Sequence, residues 1–233
     1  MNGNCQMKPA LPRFLPFVVF MAFIGLDELL RFLIEHGFIK IEATALYYLY
    51  PLKTVVVGYL LYRFRKEYDD LNFKELLGIP KTLIVSCVGV LVFMLWIHMD
   101  WTLSASATPP GFNPTLLPDV AVRIIMIFFR IIGAVLVVPL MEELFWRSFL
   151  IRYIIDNDFE KVRIGTFTWG SFLITIALFG AEHYYIYAGI MAGVAFNLIL
   201  YKTRSLAQCV LAHAVTNLAL SLYVVFTGKW QFW

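Results

Sequence analysis

The residues able to do chemistry are few, and they stand where an apolar chain should not carry them. Glu142, Glu143 and Arg147 interrupt one apolar run, His183 ends the next, and His213 with Asn217 sits inside the last. Charge within a membrane span is costly, so each of these groups is a functional candidate. Residues four apart share a helical face, whereas neighbours are about 100° apart around the axis. Glu143 and Arg147 can therefore neutralise one another, with the glutamate in the favourable first position. Glu142 is left pointing elsewhere with an unpaired carboxylate. His213 and Asn217 present an imidazole and an amide side by side, a pair able to donate hydrogen bonds to one oxygen. A carboxylate and an imidazole converging on a water can activate it as a nucleophile, and two donors aimed at a developing oxyanion supply the largest remaining stabilisation. Hydrolysis of an amide inside the membrane fits this set best. Ser148 faces away from Glu142, and the spacing singles out no Ser or Cys as a nucleophile.

These groups need helices that cross a bilayer, and the composition supplies them. Of 233 residues 61% are hydrophobic and 15% charged, with a mean hydropathy of +0.75; soluble domains have about 45–50% apolar and about 25% charged residues. A soluble globule is excluded. Aromatic residues make up 17% of the chain, which suits a bilayer with interfacial anchors; the terminal Trp230-Gln231-Phe232-Trp233 reads as one. The net charge of +3 is spread over short loops without aromatic interleaving, so nucleic acid is not an expected partner. Cys5, Cys87 and Cys209 lie far apart with no CxxC pair, which indicates neither a disulfide framework nor a thiolate metal site.

A span takes about 20 mostly apolar residues. That ruler predicts an all-α polytopic bundle of about seven spans: Phe14 to Ile34, Ala43 to Tyr62, Leu83 to Met99, Val120 to Tyr153, Thr166 to Ala181, Tyr185 to Tyr201 and Leu206 to Thr227. The fourth would be about 50 Å long as one straight helix. Pro139 lies within it, so the expectation is either a tilted, kinked helix or an interfacial helix followed by a short span. Organisation divides into an N-terminal three-span segment, 1–119, and a core carrying the polar residues, 120–233, within one integral-membrane domain. Basic residues favour cytoplasmic loops. Placing the N-terminus, Arg63 to Lys81, Arg152 to Arg163 and Lys202 to Arg204 inside collects twelve of the nineteen Lys and Arg, leaving Arg31, Lys40, Arg123 and Lys229 outside. The loop Asp100 to Val122 carries no Lys or Arg and is expected outside.

The order Glu142-Glu143-x-x-x-Arg147, Phe179-x-x-x-His183, His213-x-x-x-Asn217 resembles the three motifs of the CAAX-protease and bacteriocin-processing (Abi) family, glutamic-type intramembrane endopeptidases. The resemblance covers about Val120 to Gly228. It implies that Glu142 and His183 hold a catalytic water, that His213 and Asn217 form an oxyanion hole, and that Glu143 and Arg147 support them. It further implies a membrane-anchored protein or peptide substrate in the lipid bilayer, processing of a C-terminal tail or sorting signal, no cofactor and no metal, and residence in a prokaryotic cytoplasmic membrane. Ser148 stands where the family often has Gly, and seven spans are counted where prenyl-protease members commonly have eight. Both departures loosen the transfer of prenyl-substrate specificity and leave a myxosortase-like branch open.

Other readings compete for the same residues. Glu142, His183 and His213 could coordinate a cation or relay protons in a transporter, and their donor atoms also suit zinc; no HExxH spacing supports the metal, and no paired halves support transport. A non-catalytic bacteriocin-immunity protein would not need the four site residues. Gly189-x-x-x-Gly193 reads as helix packing. Asp27, Glu28 and Arg31 could line the same cavity, with Asp27 and Arg31 as an i, i+4 pair, but the preferred reading puts this helix end at the outer interface. Arg123 and Arg130, one heptad apart, suit snorkelling to head groups or binding of a substrate carboxylate, the first being preferred.

Overall fold

The computed structural model describes residues 7–101 and 111–233. Cys5 and the middle of the expected outer loop lie outside the described residues. Seven helices and no strand occur among the described residues: α1 Met7–Glu35, α2 Leu49–Arg63, α3 Ile79–Trp96, α4 Val120–Ile155, α5 Trp169–Ala181, α6 Ile186–Thr203 and α7 Leu206–Thr227. The fold is the expected all-α bundle. By length and composition α3, α4, α6 and α7 are each able to cross a bilayer. A 3-10 turn, Ala43–Tyr48, leads directly into the 15-residue α2, so the two together fill the second expected span.

The outer surface is what a lipid solvent requires. Leu83, Ile84 and Leu91 on α3, Ile124 and Phe128 on α4 and Leu173 on α5 are each at least half exposed. In water such a belt would be an aggregation site, whereas hydrocarbon covers it at no cost. The polar residues are inverted to the inside: Glu142, Glu143, Arg147, Asn197, Gln208 and His213 are all buried.

Helix α4 settles the alternative at Pro139. The chain runs through it as one 36-residue helix and does not turn back. Proline lacks the N–H that would close the helical bond four residues earlier, and the strain is taken up in the π-helical segment that contains that carbonyl, Gly133–Val137; a second π segment, Leu144–Leu150, follows. Wider π turns accommodate a lost bond without breaking the rod. The short α-helical stretch left between them is Val138–Glu143, which carries both glutamates.

Close packing fixes the neighbours. Helices α5 and α6 approach through glycine: a Cβ on Gly189 would stand 2.9 Å from the Gly180 Cα, and one on Gly180 would meet Ile190 at 2.4 Å. Gly193 packs on the Phe179 ring, so the Gly189-x-x-x-Gly193 spacing serves packing as expected. Helices α3 and α7 meet at Gly89, whose carbonyl accepts from the Thr216 hydroxyl at 2.8 Å. Between α6 and α7 the chain reverses at Arg204, with φ of 51°, and Ser205 caps α7 by accepting from the Gln208 N–H. That tight reversal sets Asn197 and His213 on adjacent antiparallel helices.

The segments assigned to one side by their basic residues gather at one end of the bundle. Arg13 and Arg152 both reach Asp70, at 3.2 and 2.8 Å, Ser148 donates to Asp70, and Lys81 donates to the Thr203 carbonyl at 3.2 Å. At the opposite end Phe112 N–H donates to the Trp233 carbonyl, and the Phe232 ring packs on Tyr185.

Candidate active site

The three motif helices converge on a cavity of about 370 Å³ lined by Glu142, His183, His213 and Asn217, together with Glu182, Phe179, Lys53 and Arg130. The helix arithmetic for the glutamate pair holds. Glu143 Oε1 lies 3.2 Å from Arg147 Nη1, both side chains being fully enclosed. Arg147 also donates from Nε to Asn197 Oδ1 at 3.1 Å and lies over the Phe179 ring at 4.6 Å. Asn197 passes the chain on, donating to Thr175 Oγ1 at 3.0 Å. One guanidinium thus ties α4 to α6 and, through Asn197, to α5.

Glu143 does more than neutralise Arg147. The same Oε1 stands 2.9 Å from His213 Nδ1. A carboxylate at Nδ1 accepts the proton held there and orients the ring, so the other nitrogen is aimed into the cavity. His213 Nε2 lies 4.0 Å from Glu142 Oε2, and the ring stacks on Phe196. Glu142 Oε2 is buried with no hydrogen bond among the described residues, the unpaired carboxylate that the spacing implies.

His183 follows the end of α5. Its Nδ1 lies 2.6 Å from the Phe179 carbonyl, which can only accept, so Nδ1 carries the proton and Nε2 is left as an acceptor. Trp96 holds the ring edge-on at 5.2 Å. Asn217 uses one amide hydrogen on the Ala134 carbonyl at 2.8 Å, within the first π segment of α4. Its amide is therefore anchored, with one N–H left over. Gly133, next to that carbonyl, leaves room for the Tyr50 hydroxyl, which a Cβ would meet at 2.6 Å.

Glu182 is the residue that motif spacing passes over. It accepts from Trp146 Nε1 at 3.1 Å, and its ligand atoms, with those of Glu142 and His183, lie within 4.8 Å of one another. Adjacent residues in a helix point about 100° apart, but α5 ends at Ala181, and beyond it Glu182 and His183 can turn toward the same space. Two carboxylates and an imidazole at that separation form a donor set able to hold a divalent cation. Two carboxylates so close repel, and a cation or a shared proton relieves the repulsion. Asn197 was also missed, although an amide inside an apolar run is a signal of its own. Arg130, expected to snorkel outward, is turned into the cavity, while Arg123 donates to the Leu117 carbonyl at 2.5 Å.

No curated protein and no solved structure matches the chain. Residues 124–219 match the family model described as type II CAAX prenyl endopeptidase Rce1-like, so the similarity to CAAX proteases drawn from the three motifs holds over the segment that carries them.

Proposed function

We propose that the protein is an intramembrane endopeptidase that hydrolyses a peptide bond near the C-terminus of a membrane-associated protein or peptide. The observation that carries this reading is the convergence of Glu142, His183, His213 and Asn217 on one cavity inside a membrane bundle. The Rce1-like match supports the activity at the level of the family. A water held between the Glu142 carboxylate and His183 Nε2 attacks the carbonyl carbon, and Glu142 takes its proton. The oxyanion is received by His213 Nε2 and the second amide hydrogen of Asn217. With Nδ1–H kept on the ring and hydrogen-bonded to Glu143, Nε2 donates only when it too carries a proton, and the Glu143 carboxylate faces the resulting imidazolium. Glu142 then returns a proton to the leaving nitrogen, the C–N bond breaks, and a carboxylate and an amine leave. No cofactor takes part, and the setting is the cytoplasmic membrane of a prokaryote.

The test is incubation of the purified full chain with a farnesylated CAAX peptide and with unprenylated single-span substrates in ¹⁸O water. The expected result is a product with ¹⁸O in its new carboxyl group, absent with Glu142→Gln. No cleavage of any substrate, or equal cleavage by the variant, overturns the reading. One observation favours a second reading, metal-assisted hydrolysis: the donor atoms of Glu142, Glu182 and His183 are close enough to share one ion.

A further inference from the structure

Arg147 has its counter-ion in Glu143, whereas two basic residues on the cavity wall have none among the described residues. Lys53 on α2 and Arg130 on α4 line the same cavity as Glu142 and His213. The Lys53 ammonium lies over the rings of Phe20 and Tyr50, at 4.1 and 4.9 Å from their centres. The Arg130 guanidinium lies over the same Tyr50 ring at 4.3 Å and over Phe112 at 5.5 Å. Two positive charges thus flank one aromatic ring. Neither makes an ion pair among the described residues, and Arg130 Nε is buried without a hydrogen bond. Both also line an adjoining cavity, where the carboxylates that face them are Asp27 and Glu28 of α1; Asp27 is already bound to Arg31 at 2.7 Å.

Unmatched cations in an apolar enclosure are unfavourable until an anion arrives. Along α4, Arg130 stands twelve residues before Glu142, about 18 Å of helix rise. At about 3.3 Å per residue, that is spanned by about five residues of extended peptide, fewer once the arginine's own reach is subtracted. We propose that Lys53 and Arg130 form an anion subsite that holds the free C-terminal carboxylate of the substrate while a bond a few residues upstream faces Glu142. The proposal rests on the endopeptidase reading and names the feature of the substrate that the site measures from. A membrane phospholipid has its phosphate at the bilayer surface and presents no peptide bond to Glu142, so a peptide terminus is the occupant that uses both ends of the cavity.

The test measures binding apart from cleavage. Full-length Glu142→Gln protein in phosphatidylcholine nanodiscs is titrated with a fluorescent farnesylated CAAX peptide and with its C-terminal amide. The carboxylate form is expected to bind about tenfold more tightly or better, as loss of charge-assisted hydrogen bonds implies. Adding Lys53→Gln and Arg130→Gln should remove the difference, and Arg130→Lys should keep part of it. If the double substitution does not yield folded protein, Lys53→Gln alone is read in the same way and should narrow the gap. Equal binding of the two peptides, binding of neither, or a preference that survives the substitutions overturns the subsite. So does a thermal stabilisation by phosphatidylglycerol that depends on Lys53 and Arg130 without any preference between peptides, which would assign the site to lipid. Cleavage by the unsubstituted protein is measured separately: cleavage without carboxylate preference overturns the subsite alone, and preference without cleavage overturns only the hydrolytic reading.

Discussion

His213 Nδ1 stands 2.9 Å from Glu143 Oε1, a contact between residues 70 positions apart that makes Glu143 the meeting point of two motifs. The same oxygen faces Arg147 at 3.2 Å, so one buried carboxylate both neutralises a guanidinium and aims an imidazole.

Substituting Glu143 should therefore fail in two ways. Glu143→Gln leaves Arg147 without its counter-ion, and breaking a buried pair on one side costs about 3–5 kcal/mol. Adding Arg147→Met removes the stranded charge, and thermal unfolding should show part of the stability regained. Cleavage should stay low in the double variant, because His213 has still lost the group that orients it. Recovery of activity together with stability would show that Glu143 serves Arg147 alone.

Glu142 should behave differently from its neighbour. Its Oε2 makes no hydrogen bond among the described residues, so Glu142→Gln removes the base while breaking little, and the melting temperature should move by an amount equivalent to about 1 kcal/mol or less. Cleavage should be abolished. A fully active Glu142→Gln protein would remove Glu142 from the role of base.

Asn217 carries a double burden. Its amide donates to the Ala134 carbonyl, so Asn217→Ala removes one oxyanion donor and also strands a carbonyl. The first loss should lower kcat by roughly 10²–10³, and the second should cost about 1–3 kcal/mol. Kinetics and thermal unfolding separate the two. A destabilised protein with unchanged kcat would make Asn217 a structural brace of the π segment.

The buried cluster at the other end of α4 gives a control. Asp70 contacts both Arg13 and Arg152, and Ser148, one residue past Arg147, donates to it. Asp70→Asn should lower the melting temperature strongly, by the same one-sided loss of a buried charge, while kcat per folded molecule changes little. A stable but inactive variant would tie this cluster to the chemistry.

Much of this was legible in the sequence because membrane spans announce themselves by length and apolarity. Leu206–Thr227 has the expected bounds, and the Glu143 to Arg147 pair follows from the helical repeat. The π turns flanking Pro139 were not legible, since a local widening of the helix leaves no periodic trace in so short a stretch. Glu182 was hidden by the same arithmetic that revealed Glu142: helical spacing separates it from His183, but the helix stops one residue earlier. Arg130 reads as a head-group anchor and Lys53, alone in its apolar run, gives no pattern at all; only the packing of α2 against α4 turns both to one cavity.

Glu182 also carries the prediction that decides between the two hydrolytic readings. If Glu142 and His183 activate water unaided, a chelator should leave cleavage unchanged, and Glu182→Gln should act only through the position of Trp146, whose indole it accepts at 3.1 Å. Trp146→Phe should then reproduce the effect of Glu182→Gln. If a cation bridges Glu142, Glu182 and His183, dialysis against EDTA should abolish cleavage, zinc or manganese should restore it, and Glu182→Gln should weaken metal binding by about 10–100-fold or more while Trp146→Phe does not. The carboxylate-and-imidazole reading expects the first pattern. The donor atoms lie within 4.8 Å of one another, whereas two ligands of one zinc ion, each about 2.0–2.2 Å from it, can be at most about 4.4 Å apart. The two limits are close enough for the set to close on a metal, and metal content of the purified protein measured before and after dialysis reads this directly.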